Sequence, residues 1–122
     1  MSRDALYLQH VLDAVGKVER YIAVGHAEFM AASHWQDAVI RQLEIIGEAV
    51  KRISPDTLGR RPDIPWRRVS GLRDFLIHEY MGVDLEAIWQ VTQSNVPELR
   101  QAVEELLEQV APVDAPAPRL DS

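Results

Sequence analysis

Arg73, Asp74, His78 and Tyr80 fall within eight consecutive residues. Together they hold a permanent cation, a carboxylate, an imidazole and a phenol. Arginine and histidine are the minimum equipment for cutting a phosphodiester without a metal. The guanidinium neutralises charge that builds on the phosphoryl oxygens, and the imidazole moves protons near neutral pH. The chemistry that this spacing suggests is transesterification within RNA. His78 serves as general base on a ribose 2′-OH, or as acid to the leaving 5′-oxygen, while Arg73 stabilises the phosphorane. Each contribution is worth roughly 10²–10⁴ in rate. The need for a 2′-OH nucleophile favours RNA over DNA. Asp74 lies four residues before His78, so on a helix the carboxylate can orient the imidazole and raise its pKa.

The surroundings of these residues are consistent with an anionic substrate. The chain carries −6 overall, yet Lys51, Arg52, Arg60, Arg61, Arg67, Arg68 and Arg73 stand against only Asp56 and Asp63. That segment is +5 and the remainder −11. Steering depends on the local field more than on the total, so Arg60, Arg61, Arg67 and Arg68 are candidate RNA-binding residues. No metal or cofactor is expected. There is no Cys and no H-x-x-x-H pattern, and the acidic and His residues show no ligand spacing. His10, His26 and His34 read as surface or helix-end groups. Without Cys there is no disulfide framework, and no apolar run reaches membrane-spanning length. A cytoplasmic protein with no membrane association is expected.

The elements that must position the motif are helical throughout. Leu8, Val11, Leu12, Val15, Val18 and Ile22 recur at three- and four-residue steps, giving a first helix over 4–24 that Gly25 stops. A short connection through His26 and Phe29 leads to Ser33, which is expected to cap a second long helix. Gly47 inside that helix costs roughly 1 kcal/mol of propensity, which points to a close helix–helix approach. Ser54-Pro55 ends it and opens an irregular stretch. Pro65 suits the first turn of a third helix carrying Trp66, Val69, Leu72 and Leu76 on its inward stripe. Gly82 ends that helix and Asp84 caps the next, which runs to residue 110. A break is expected near Asn95, where Asn95 and Glu98 resemble a capping pair around Pro97. No strand-like alternation occurs. The reading is an all-α bundle over 1–110, followed by a disordered Pro-rich tail over 111–122.

On a helical wheel, Arg73 sits near the edge of the buried stripe, whereas Asp74 and His78 face away from it. Gly71 and Phe75 flank that outward face, so a second copy of the chain is the expected cover. Arg73 and His78 are about 140° apart on a regular helix. Either the helix loosens before His78 or two subunits share one cleft, and the shared cleft is preferred. Trp35, Trp66 and Trp89 are read as core or interface anchors rather than base-stacking platforms. Glu44 and Glu48 are read as members of i,i+4 pairs such as Glu48–Arg52.

The run R-x4-H-x-Y, with a polar residue directly after the Arg, resembles the signature of the HEPN superfamily and, more closely, that of the HepT toxins. The likeness extends to Asp37 through Ala49, to Pro62-Asp63-Ile64-Pro65-Trp66 with Gly71-Leu72-Arg73, to His78 through Asp84, and to Trp89. It covers roughly residues 4–110. The resemblance implies an up-and-down HEPN bundle and a homodimer with a composite cleft. It also implies metal-independent endoribonuclease activity of a toxin, with Arg73 and His78 as the catalytic pair and Asp74 as their polar neighbour. The partner it implies is an MNT-type nucleotidyltransferase antitoxin that transfers AMP from ATP onto Tyr80. Glu79 is acidic where many relatives have a smaller or basic residue.

Two other readings use the same residues. A non-catalytic module would hold a nucleotide, or dock the nucleotidyltransferase, through Arg73 and His78. A plain helical bundle would leave the motif incidental, with His78 as a helix-dipole partner and Tyr80 as a packed ring.

Overall fold

The computed structural model describes residues 3–81 and 84–110, with side chains for all of them except 77–81. Every regular element among the described residues is helical. The first, α1 (Arg3–Ile22), buries Leu8, Val11, Val15 and Val18 along one face. Gly25 follows with φ of 95°, a left-handed value that favours glycine. The expected connection beyond it is a short helix, α2 (His26–Ala31). Two interactions explain that difference. Phe29 is fully buried, and the buried Gln36 amide donates to the carbonyls of Phe29 and Met30, satisfying the end of α2.

Helix α3 (Ser33–Val50) runs antiparallel to α1. Tyr21 meets Trp35 at one end of the pair, and Asp4 meets Ser54 at the other. Ser33 is the first residue of α3 rather than its cap; the cap position is Ala32, which has no side-chain acceptor. The helix ends at Val50, and Ser54 caps a further short helix, α4 (Pro55–Leu58), inside the stretch read as irregular. Asp4 closes this end of the hairpin. Its carboxylate accepts from the Ser54 amide at 2.9 Å, from the Ser54 hydroxyl at 2.6 Å and from the Thr57 hydroxyl.

The expected third helix is two. Helices α5 (Trp66–Ser70) and α6 (Leu72–Met81) are separated at Gly71. A Cβ on Gly47 would stand 3.0 Å from the Val69 carbonyl oxygen and 3.4 Å from Leu72 Cβ. The close approach anticipated at Gly47 is therefore present, and it falls on this junction. Asp84 caps α7 (Leu85–Gln90) by accepting from the Ala87 amide at 3.0 Å. Instead of a capped break near Asn95, the chain widens into a π-helical turn, Val91–Asn95, that feeds α8 (Val96–Val110). Pro97 lacks an N–H and its ring crowds the carbonyl four residues earlier, which a widened turn relieves.

Helix α8 lies against α1, with Arg100 forked onto Glu19 at 2.7 Å through both nitrogens. Its far end meets the α4–α5 connection, through Arg61 on Glu105. The core is the seam of α1, α3 and α8, where Leu8, Leu43, Ile46 and Leu106 are fully buried. Each such side chain contributes about 1.5–3 kcal/mol of transfer free energy. Trp89 is in this core and Trp66 is packed on it, with the Trp66 indole donating to the Leu58 and Arg61 carbonyls. The expected ending at Gly82 and the tail over 111–122 lie outside the described residues.

Candidate active cleft

Arg73 is the second residue of α6, and the Gly47 contact sets where that helix begins. With no Cβ on Gly47, the α5–α6 junction drops onto α3 until the Val69 carbonyl and Leu72 touch it. Arg73 is exposed and Leu76, three residues on, is buried.

The Arg73 side chain lines a cleft of about 470 Å³ between α1, α3 and α6. Tyr7 and His10 form the α1 wall; Arg41, Glu44, Ile45 and Glu48 form the α3 wall; Arg52 closes one end. Tyr7 organises that end. The Arg52 guanidinium lies 6.0 Å and the Arg3 guanidinium 5.9 Å from its ring centroid, while the His10 ring meets it edge-on at 5.4 Å. Cation–π contacts of this kind hold a guanidinium in place without consuming its N–H donors. The expected Glu48–Arg52 pair is not formed. Glu48 pairs with Lys51 at 3.3 Å, which leaves Arg52 to Tyr7. Among the described residues, neither Arg41 nor Arg73 has an ion-pair partner.

The sequence-predicted residues are not all gathered here. Asp74 is exposed on α6. His78 and Tyr80 belong to the α6 backbone, but their side chains lie outside the described residues. Helix α6 is a regular α-helix from Leu72 to Met81, so the loosening considered before His78 does not occur. Arg67 and Arg68 are exposed on α5. Arg60 and Arg61 are engaged elsewhere: Arg60 donates to Gln109, and Arg61 forks onto Asp63 at 2.8 and 2.9 Å and reaches Glu105 at 3.0 Å. The hydrogen bonds that Arg61 donates to Asp63 raise the Arg61 pKa further, and the same bonds lower that of Asp63. Arg61 thus staples the α4–α5 connection to α8 and has few donors left for a phosphate.

On the other side of α6, Leu72 and Phe75 line a second concavity of about 500 Å³ with Leu43, Ile46, Val96 and Leu99. Among the described residues, Phe75 is one of the few large apolar side chains left exposed. Of the outward face expected to need a cover, Gly71 and Phe75 line this groove, beside Arg68 and Glu98, whereas Asp74 does not.

Sequence reading did not single out Arg41, Tyr7, His10 and Arg52, which line this cleft. A signal was present, because Arg41, Glu44, Ile45, Glu48 and Arg52 recur at three- and four-residue steps. That stripe flanks the buried one and is too polar to be core. Among the described residues no group of three or more His, Asp or Glu side chains is placed to hold a metal ion. No described helix is long and apolar enough to cross a membrane.

Comparison with known proteins places this architecture. Residues 11–106 match the family model described as "Ribonuclease HepT-like". A Methanocaldococcus jannaschii protein named as a gamma-glutamylcyclotransferase and "putative RNase" is 35% identical over 90% of this chain, which spans 50% of that relative's length. A "Putative RNase" of Caldanaerobacter subterraneus subsp. tengcongensis is 37% identical over 84% of this chain and 92% of its own. The "Probable ribonuclease HepT" of Thermococcus cleftensis is 39% identical over 82% of this chain and 92% of its own. No solved structure matches the chain significantly.

Proposed function

The chain belongs to the HepT-like ribonuclease family, and on that premise we propose that it is a metal-independent endoribonuclease built around Arg73 and His78. His78 takes the proton from a ribose 2′-OH, the freed oxygen attacks the adjacent phosphorus, and the 5′-oxygen leaves with a proton. The products are a 2′,3′-cyclic phosphate and a 5′-hydroxyl, so no water or metal is consumed in the cleavage step. Arg73 neutralises the two charged phosphoryl oxygens as the phosphorane forms. Asp74, one turn before His78 on α6, orients the imidazole.

The observation that carries this reading is an arginine without an ion-pair partner among the described residues. It lines a cleft, five residues before the histidine on one regular helix. Arg61, by contrast, is held between two carboxylates. The regularity of α6 also favours a shared site. Five residues on an α-helix turn about 140°, so Arg73 and His78 converge on one phosphate most directly when each works with its counterpart from a second subunit. The apolar groove around Phe75 suits the homodimer that this requires.

As in the toxins it resembles, the activity is restrained by a nucleotidyltransferase antitoxin of the MNT type. The Tyr80 phenol attacks the α-phosphorus of ATP, pyrophosphate leaves, and the phenolic proton passes to a base. An AMP group two residues from His78 places phosphate where the substrate's own would lie. Arg67 and Arg68 attract RNA along α5, with smaller contributions from Arg60 and Arg61. The setting is the cytosol.

The test is cleavage of single-stranded RNA in EDTA by the wild type and by His78→Ala. The expected result is cyclic-phosphate ends from the wild type and a loss of roughly 10²–10⁴ in rate for the variant. Binding without cleavage by the wild type would instead identify a non-catalytic docking subunit. Co-expression with a neighbouring nucleotidyltransferase, followed by intact mass, reads the adenylyl adduct on Tyr80.

A further inference from the structure

We infer that the α1–α3–α6 cleft seats a second RNA phosphate, next to the scissile one, and that Arg41 is the residue that binds it. The inference rests on the ribonuclease reading for the identity of the polyanion, but its geometry is independent of His78. Arg41 and Arg73 line the same cleft from different helices, and among the described residues neither has an ion-pair partner. Three other cations are committed to carboxylates: Arg61 to Asp63 and Glu105, Arg100 to Glu19 and Glu104, and Lys51 to Glu48. A guanidinium in a concavity that is paired to no carboxylate keeps its whole fork for two oxygens of an incoming phosphate.

Arg52 supports the same site from the end of the cleft. The Tyr7 ring holds it by its face, and its N–H donors remain available. Glu44 and Glu48 share the α3 wall, so the cleft is not a general trap for anions. Three guanidiniums face two carboxylates, and binding relies on where the forks are aimed rather than on bulk positive field. A ribose–phosphate backbone entering at Arg73 therefore continues toward Arg41, with Tyr7 and His10 beside it. Phosphate contacts of this type fix the register of a strand without reading its sequence.

The experiment uses a fluorescein-labelled, fully 2′-O-methylated single-stranded RNA, which has no free 2′-OH and cannot be cut by this chemistry. Its affinity is measured against salt concentration for the wild type, Arg41→Ala, Arg41→Lys and, as an outer-surface control, Lys17→Ala. Arg41→Ala is expected to weaken binding about tenfold and to flatten the log–log salt slope by about 0.7, the value for one phosphate of a single strand. Arg41→Lys restores the slope but only part of the affinity, and Lys17→Ala changes neither. On cleavable RNA, Arg41→Ala raises KM more than it lowers kcat. Wild-type affinity and slope in Arg41→Ala, with helicity and Tm unchanged, would overturn the inference. A wild type that fails to bind the probe at low salt overturns it as well. A wild type that binds the probe, shows the Arg41 effect and cuts no RNA upholds the phosphate seat and refutes the nuclease reading instead.

Discussion

The two concavities beside α6 are nearly equal in size, about 470 and 500 Å³, and share α3 as a wall, yet one is lined by more charged side chains and the other by more apolar ones. One presents Arg41, Arg52, Arg73, Glu44 and Glu48; the other presents Leu72, Phe75, Leu43, Ile46 and Leu99. Adjacent residues of one helix divide between them, with Leu72 in the apolar groove and Arg73 in the polar cleft. Volume therefore says little about role here. The difference comes from which stripe of α3 each side of α6 meets. The Gly47 contact fixes that choice, because it sets the height and rotation at which α6 starts.

The largest effect should come from the polar side alone. Arg73→Ala is expected to lower RNA cleavage by on the order of 10²–10³, while thermal unfolding stays within about 0.5 kcal/mol of wild type, as for an exposed surface substitution. Arg73→Lys should recover only part of the rate, because an ammonium lacks the planar fork. Loss of stability in parallel with activity would mean that the cleft arginine is structural, and the contrast between the two sides would fail.

Gly47→Val tests the wall that both concavities share. The added methyl groups meet the Val69 carbonyl and Leu72 where space is already short. Denaturant unfolding should show a loss of about 2–3 kcal/mol, and cleavage should fall because Arg73 is displaced with α6. Unchanged stability would show that the α5–α6 junction yields easily and that the close approach does not set the site.

The smallest effect should come from the clasp of Asp4 on Ser54 and Thr57 that closes the end of the α1–α3 hairpin. Burial pushes the Asp4 carboxyl up, but hydrogen bonds from the Ser54 hydroxyl, the Thr57 hydroxyl and the Ser54 amide outweigh it, with Arg3 adding its charge. The folded-state pKa thus lies below the ordinary 3.8. A carboxylate with a depressed folded pKa stabilises the fold above its unfolded pKa, and that contribution disappears as pH falls through the folded value. Asp4→Asn should therefore cost about 1 kcal/mol at pH 7. The deficit should persist down to about pH 4 and shrink below it. A deficit that grows on acidification would refute the assignment.

Much of this molecule was legible before any coordinate. The apolar steps of α1 and α3, the stop at Gly25, the cap at Asp84 and the motif on α6 all depend on interactions within about four residues, which sequence periodicity reports directly. The break at Gly71, the short α2 and the π turn at Val91–Asn95 were not legible. Each depends on a partner distant in sequence or on relief of crowding: α3 against the α5–α6 junction, Gln36 on the end of α2, and a ring displacing a carbonyl.

The same division holds for the site. The residue types and spacing from Arg73 to Tyr80, with the flanking blocks, were enough to suggest a ribonuclease, because a guanidinium and an imidazole have fixed capabilities wherever they stand. Only the tertiary structure could decide which cations remain available. Arg61 and Arg41 look equivalent in the chain, but folding sets Arg61 between Asp63 and Glu105 and leaves Arg41 in a cleft with Arg73. Sequence supplies a charge; the packing of α1, α3 and α6 determines whether that charge is neutralised or left facing an open cleft, because Coulombic pairing depends on distances that only the fold sets.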